Sequence, residues 1–227
     1  MTDPSPAILK LISESARRLA VDAVVQALST PGGFTRRELR SAIRQLVEAG
    51  ELSYSYELGN SFLGRSFNRP IQISKRIVLS PPGHRVRPAP PAVVVRLAPG
   101  AAFGYGQHPT TRMALQAVDV ALERGPGRAA GARRRGLDLG TGSGVLIIAA
   151  VLLGLQGGLG LDIDPCALAE AGRNAALNGL QRKIEIKNIP IDALPGRFWL
   201  VTANLRLPTL EKFSSRIAGY VEAGGIL

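Results

Sequence analysis

The sequence predicts an α/β chain in which an open parallel sheet is preceded by a small α+β unit. Three observations carry this reading. The run GLDLGTGSGVLIIAAVLL (136–153) passes from a short apolar stretch through alternating glycines into a continuous apolar segment, the signature of strand, tight turn and buried helix. A second strand-like stretch, GLGLDID (158–164), follows it and leads into an alanine-rich helix. Upstream, the proline-dense PPGHRVRPAPPAVVV (81–95) separates this half from an amino-terminal unit with its own apolar pattern. The expected organisation is therefore a unit at 1–80, a linker at 81–92 and the sheet-bearing domain at 93–227.

In the amino-terminal unit, Ile8, Leu11, Ile12, Leu19, Val24 and Leu28 recur at three- and four-residue spacing, predicting helix over Ile8–Leu28. Thr35 followed by Glu38 forms a capping box that starts a second helix. Its apolar face is Leu39, Ala42, Ile43, Leu46 and Val47, and Gly50 supplies the stop. ELSYSYEL alternates as a strand, Gly59–Asn60 marks a turn region, and IQISKRIVL is expected as the return strand. Helices followed by a long hairpin give a winged-helix-like unit. Arg36, Arg40 and Arg44 fall on one face of the second helix, where they suit phosphate contacts or a solvated surface.

Composition bounds the function. With 45% hydrophobic residues the chain can bury a core. The single cysteine, Cys166, excludes an intrachain disulfide and a cysteine-only metal cluster, and fits a reducing cytoplasm. The longest apolar run, Val145–Leu153, falls well short of the ~20 residues a bilayer-spanning helix needs, and no metal or membrane partner is expected. A net charge of +11 favours acidic partners, nucleic acid above all.

The chemistry concentrates after residue 100. Asp138 and the loop Gly140–Thr141–Gly142–Ser143–Gly144 bring backbone N–H groups and a helix N-terminus to the carboxyl end of a strand. The spacing is G-x-G-x-G rather than the dinucleotide fingerprint, so a pyrophosphate ligand is disfavoured. Asp162, 22 residues beyond Gly140, is placed to accept both ribose hydroxyls of a nucleoside. Asp164 and Pro165 read as N-cap and first helical residue. Asn204 closes the strand FWLVTAN.

Together, AFGYGQHPTT (102–111), DLGTGSG (138–144), LDIDPCALAEAGRNAALNG (161–179) and TANLRLP (202–208) resemble the PrmA family of class I S-adenosylmethionine-dependent methyltransferases, which act on a large-subunit ribosomal protein. The resemblance covers about residues 97–227. It implies a Rossmann-like sheet and an enzyme that methylates a protein lysine or amino-terminal amine. It places Thr111, Asp138, Gly140, Gly142 and Asp162 on S-adenosylmethionine, Asp192 at the adenine, and Asn204 where methyl donor and acceptor meet. Thr110 or Thr111 serves equally as a plain helix cap, and His108 reads as a loop-shaping or substrate-side residue. The interval Asn204–Pro208 is shorter than the family's, and the amino-terminal unit is not the family's, which implies another target or docking mode. Two rival readings are a nucleic-acid-binding or RNA-methylating protein led by the basic helix, and a cofactor-binding remnant without activity. The pair Gly224–Gly225 is expected to precede a fifth strand, so that the chain ends as that strand begins and leaves an exposed fourth strand through which copies associate.

Overall fold

The computed structural model describes residues 3–15, 19–31, 33–57, 60–106, 108–124, 134–194 and 196–227. The chain divides into two compact units, 1–69 and 70–227.

The first unit is three helices and a hairpin: α1 (Ser5–Glu14), α2 (Val21–Leu28), α3 (Arg36–Glu48), β1 (Leu52–Glu57) and β2 (Asn60–Arg65). The expected single helix over Ile8–Leu28 is thus two, because Ser15 turns extended (ψ 125°) and ends α1. The capping box of α3 forms as expected: Glu38 N–H donates to Thr35 Oγ1 (3.3 Å) and Thr35 N–H to Glu38 Oε2 (2.8 Å). Ile8, Val24, Leu39, Ile43, Leu52 and Leu63 close a core in which each is less than 5% exposed. Arg36, Arg40 and Arg44 are exposed, and Arg40 is ion-paired with Asp22 of α2 (2.5 Å).

The return strand of the hairpin is Asn60–Arg65, running antiparallel from Glu57↔Asn60 to Leu52↔Arg65, and not IQISKRIVL. Gly59, read as part of the turn, lies outside the described residues. IQISKRIVL instead folds on itself into β3 (Ile71–Gln72) and β4 (Ile77–Ser80), and β4 runs parallel to β5 (Val93–Arg96). Every residue of β4 is buried, which suits a middle strand and not a solvent-facing wing. The unit boundary accordingly falls at 69/70 rather than 80/81, and 81–92 is a connection inside the second unit.

That unit continues with α4 (Pro109–Arg124), β6 (Arg135–Leu139), α5 (Val145–Leu152), β7 (Gly157–Leu161), α6 (Pro165–Leu177), β8 (Ile184–Lys187), β9 (Phe198–Ala203), α7 (Leu207–Gly219) and β10 (Val221–Ile226). The five strands from β6 onward form a parallel sheet in the order β10–β9–β6–β7–β8. The reversal of strand order between β6 and β9 opens a crevice at their carboxyl ends. α5 is buried from Val145 to Val151, so its sequence is apolar all round. It seats in a dimple made by the cross-strand pair Gly136↔Gly158. A Cβ on either would lie 2.8 Å or 2.3 Å from Ile147 Cδ1. Arg76 and Asp119, both largely buried, join β4's approach to α4 through an ion pair of 2.5 Å.

The carboxyl end differs from expectation. Gly224–Gly225 lies within a strand, not ahead of one. Gly224 takes φ +74°, and Val221↔Phe198 and Ile226↔Leu200 pair on either side of an irregularity in the ladder. A left-handed glycine lets the strand bulge and regain its partner. β9 therefore has β6 on one side and β10 on the other, and the expected association through an exposed fourth strand has no basis here.

Candidate functional site

The loop after β6 can be built residue by residue. Gly140, Gly142 and Gly144 take φ +68°, +53° and +80°, a left-handed conformation that side chains other than glycine rarely adopt. Within it, Thr141 N–H donates to Leu161 C=O of β7 (2.8 Å), and Ser143 N–H donates to Phe103 C=O (2.8 Å). The second contact brings in the 101–106 segment. A Cβ at Gly142 would lie 2.3 Å from Phe103 O, and one at Gly104 2.8 Å from Ser143 Oγ, so the two loops interlock through glycines.

Asp162, just past β7, accepts Gly142 N–H at Oδ2 (2.9 Å) and Asp164 N–H at Oδ1 (3.0 Å). These bonds fix the carboxylate at the mouth of the glycine loop, with lone pairs left over on both oxygens. Asp164 caps α6, accepting Cys166 N–H (2.8 Å) ahead of Pro165. His108 caps α4: its Nδ1 accepts Thr110 N–H (3.3 Å) and lies 2.8 Å from Thr110 Oγ1, which requires that nitrogen to be unprotonated. The His108 ring also packs against Phe103, with centroids 5.3 Å apart.

These elements surround a cleft of about 550 Å³, a size suited to a small-molecule ligand. One wall is Ala101, Ala102 and Phe103 with His108 and Thr110; another is Gly140, Gly142, Asp162 and Asp164; Asn204, Leu205 and Arg206, beyond β9, close it. The expected site residues Gly140, Gly142, Asp162 and Asn204 thus meet on one cleft. Asn204 also borders an apolar hollow of about 440 Å³ lined from α4, β9 and α7.

Three expected site residues stand elsewhere. Asp138 is 1% exposed and does not line the cleft; its oxygens accept the Thr141 and Thr202 hydroxyls, each at 2.7 Å. It anchors the loop from below instead of touching a ligand. Burial pushes its carboxyl up to about 6, the nearby Asp162 charge adds to the rise, and the two hydroxyl bonds oppose it. Asp192 sits in the short turn Ile191–Ala193 and pairs with Arg216 of α7 (2.9 Å), both side chains more than half exposed, so it does not line the cleft either. Thr111 lies fully buried beneath the wall, and Thr110 takes the exposed position. Sequence reasoning gave no role to Phe103, Ala167 or Leu205, apolar residues whose place on the wall is set by the fold.

The cleft suits a nucleoside ligand. Asp162 offers fixed acceptors to a ribose diol, and the glycine loop admits close approach of a ligand. The buried hydroxyls of Thr111 and Ser143 have no hydrogen-bond partner among the described residues. Both are fully buried and lie off the cleft lining. Among the described residues, no group of three or more His, Cys, Asp or Glu could hold a metal, and no helix is long and apolar enough to cross a membrane.

Sheet order and glycine-loop cleft are those of a Rossmann-like class I methyltransferase domain. The family model described as ribosomal protein L11 methyltransferase (PrmA) matches residues 65–227, and the chain belongs to that family. Similar relatives include the ribosomal protein L11 methyltransferase of Geobacter sulfurreducens, 42% identical over 70% of this chain and 49% of its own length. That of Thiobacillus denitrificans is 36% identical over 83% of this chain and 61% of its own. The chain spans about half the length of most of the curated relatives it matches. The crystal structure of ribosomal protein L11 methylase from Lactobacillus delbrueckii subsp. bulgaricus superposes with a TM-score of 0.57 at 30% identity, covering 70% of this chain and 78% of that one.

Proposed function

We propose that the cleft binds S-adenosylmethionine and that the domain transfers its methyl group to a protein amine, a lysine or amino-terminal group of a ribosomal protein. The observation that carries this reading is Asp162, held by two backbone N–H groups on the same cleft as Asn204. Bound there, S-adenosylmethionine would supply an electrophilic methyl on a sulfonium, taken in line by the acceptor lone pair as the carbon–sulfur bond breaks and S-adenosylhomocysteine leaves. The chain's own part is positioning. Asp162 holds the ribose. The Asn204 carbonyl accepts an N–H of the acceptor amine and so aims its lone pair. An amine attacks only when neutral, and the positive Arg206 on the same wall disfavours the ammonium form.

Isothermal titration with S-adenosylhomocysteine tests the reading. Asp162→Ala should weaken binding by about 1–3 kcal/mol, the value of charge-assisted hydrogen bonds. Equal affinity in wild type and variant would sink the ribose assignment.

For the winged-helix-like amino-terminal unit, docking to the target is the reading we favour. Arg40 is already committed to Asp22, which leaves Arg36 and Arg44 for an anionic partner. If they grip phosphates, affinity for structured RNA should fall steeply with salt, and a triple glutamine variant of Arg36, Arg40 and Arg44 should flatten that slope. No RNA binding at low salt leaves a protein-docking unit.

A further inference from the structure

Helix α6 presents Glu170, Asn174 and Asn178 at four-residue intervals, and Glu170 and Asn174 are 7% and 1% exposed. Polar side chains this buried must be satisfied, and these two, with the half-buried Asn178 at the helix end, bond chiefly to groups outside the helix. Asn178 accepts Arg96 N–H (2.9 Å) and donates to Arg96 C=O (2.7 Å), as a neighbouring strand would. Asn174 accepts Ala98 N–H (3.0 Å) and donates to Ser143 C=O (2.9 Å), joining the two interlocked loops through one amide. Glu170 accepts Ala101 N–H (2.7 Å), Ala102 N–H (3.1 Å) and Tyr105 O–H (2.7 Å). Gly100 leaves the room this requires, since a Cβ there would lie 2.2 Å from Glu170 Oε2 and 2.3 Å from Tyr105 Oη.

We propose that Glu170 and Asn174 are positioning residues that hold the Ala101–Phe103 wall against the glycine loop, so that the cofactor cleft exists before the cofactor arrives. Resting on the proposed S-adenosylmethionine site, this assigns to α6 a task beyond packing. Leu97 N–H still reaches Ser80 C=O of β4 (3.0 Å), but residues 98–106 lie in no strand, and there these side chains take the place of a ladder. The ionisation states agree with the geometry. Burial pushes the Glu170 carboxyl up, but the bonds from Tyr105, Ala101 and Ala102 and the charge of Arg173 more than offset it, leaving it below the ordinary range. Burial and then the Glu170 contact raise the Tyr105 phenol to about 12. The pair therefore stays carboxylate and phenol across the physiological range.

Three variants of the full chain form a graded series. Tyr105→Phe removes one of three donors. Glu170→Gln turns an NH2 group toward a backbone N–H, so at least one of the bonds from Ala101 and Ala102 breaks. Asn174→Asp keeps the bond to Ala98 but sets an oxygen against Ser143 C=O. For each, amide hydrogen exchange at Ala98, Ala101 and Ala102 is followed without ligand, alongside the melting temperature and the affinity for S-adenosylhomocysteine. The expected result is faster exchange confined to 98–106 and weaker binding, small for Tyr105→Phe and about 10-fold for Glu170→Gln and Asn174→Asp. Such a loss follows if the ordered cleft drops to roughly a tenth of the population. A variant whose 98–106 amides exchange faster while its affinity stays at the wild-type value overturns the proposal and leaves the cofactor site standing. So does weaker binding that tracks only a lowered melting temperature, with no exchange change specific to the segment. Wild-type protein that fails to bind S-adenosylhomocysteine removes the cofactor site itself, and the proposal with it.

Discussion

Replacing Asp138 by asparagine should remove a pH dependence of stability that wild type carries. The side chain is 1% exposed, and its carboxyl is raised from the ordinary 3.8 to about 6, chiefly by burial and further by the Asp162 charge. Below pH ~4 both folded and unfolded chains are protonated at this site and the group costs nothing. Between pH ~4 and ~6 the folded chain holds a proton that the unfolded chain has released, so stability falls as pH rises. Above about 6 the buried carboxylate carries the full penalty, about 3 kcal/mol for a rise of this size. Asparagine has no proton to lose, and its amide reaches the same two hydroxyls, Thr141 and Thr202, which rotate to donate or accept. Urea unfolding of both proteins at pH 4, 5, 6 and 7, with matched m-values, isolates the site because every other group is common to the two. Relative to the variant, wild type should lose about 2–2.5 kcal/mol between pH 4 and pH 7, since part of the fall has already occurred by pH 4. Parallel stability curves, or a difference with the opposite slope, would refute the argument that burial dominates at Asp138.

Two further outcomes follow from packing in the second unit. Asp119→Ala should destabilise by about 3–5 kcal/mol, since it strands the largely buried Arg76 guanidinium. The double variant Arg76→Met/Asp119→Leu should recover much of that loss, as read by denaturant unfolding. Gly142→Ala combines φ +53° with a Cβ 2.3 Å from Phe103 O, so it should abolish measurable S-adenosylhomocysteine binding by titration while far-UV circular dichroism stays near wild type.

What the sequence disclosed was what short-range chemistry decides. Glycines at alternate positions, Thr35 with Glu38, and Asp164 before Pro165 each specify a local conformation, and each formed as read. Pairing across distance was not legible in the same way. IQISKRIVL has the alternation of a return strand, but its partner was chosen by burial on both faces of β4, which depends on β5 arriving thirteen or more residues later. Asp138 and Asp192 are acidic residues near strand ends, as Asp162 is, and nothing local separates them. Two nearby threonine hydroxyls take the first, Arg216 takes the second, and only the third meets the cleft. The polar stripe of α6 was visible as Glu170, Asn174 and Asn178 at helical spacing among alanines, though which backbone they serve was not.

The dimple under α5 carries a consequence for how related sequences can change. Gly136, Gly158 and Ile147 draw on a single volume, so these positions are not free to vary one at a time. Alanine at 136 set against the present isoleucine overpacks the sheet–helix contact, at about 1–3 kcal/mol. Valine at 147 first costs only about 0.5–1.5 kcal/mol and removes the Cδ1 that the new methyl would meet, leaving Leu155 Cδ1, the far end of a flexible side chain, to give way. At 158 the same exchange fails, because valine keeps the Cγ1 that lies 2.6 Å from an added Cβ. A lineage drifting under a stability threshold passes through the valine intermediate, and residues 147 and 136 then covary although neither touches the cleft.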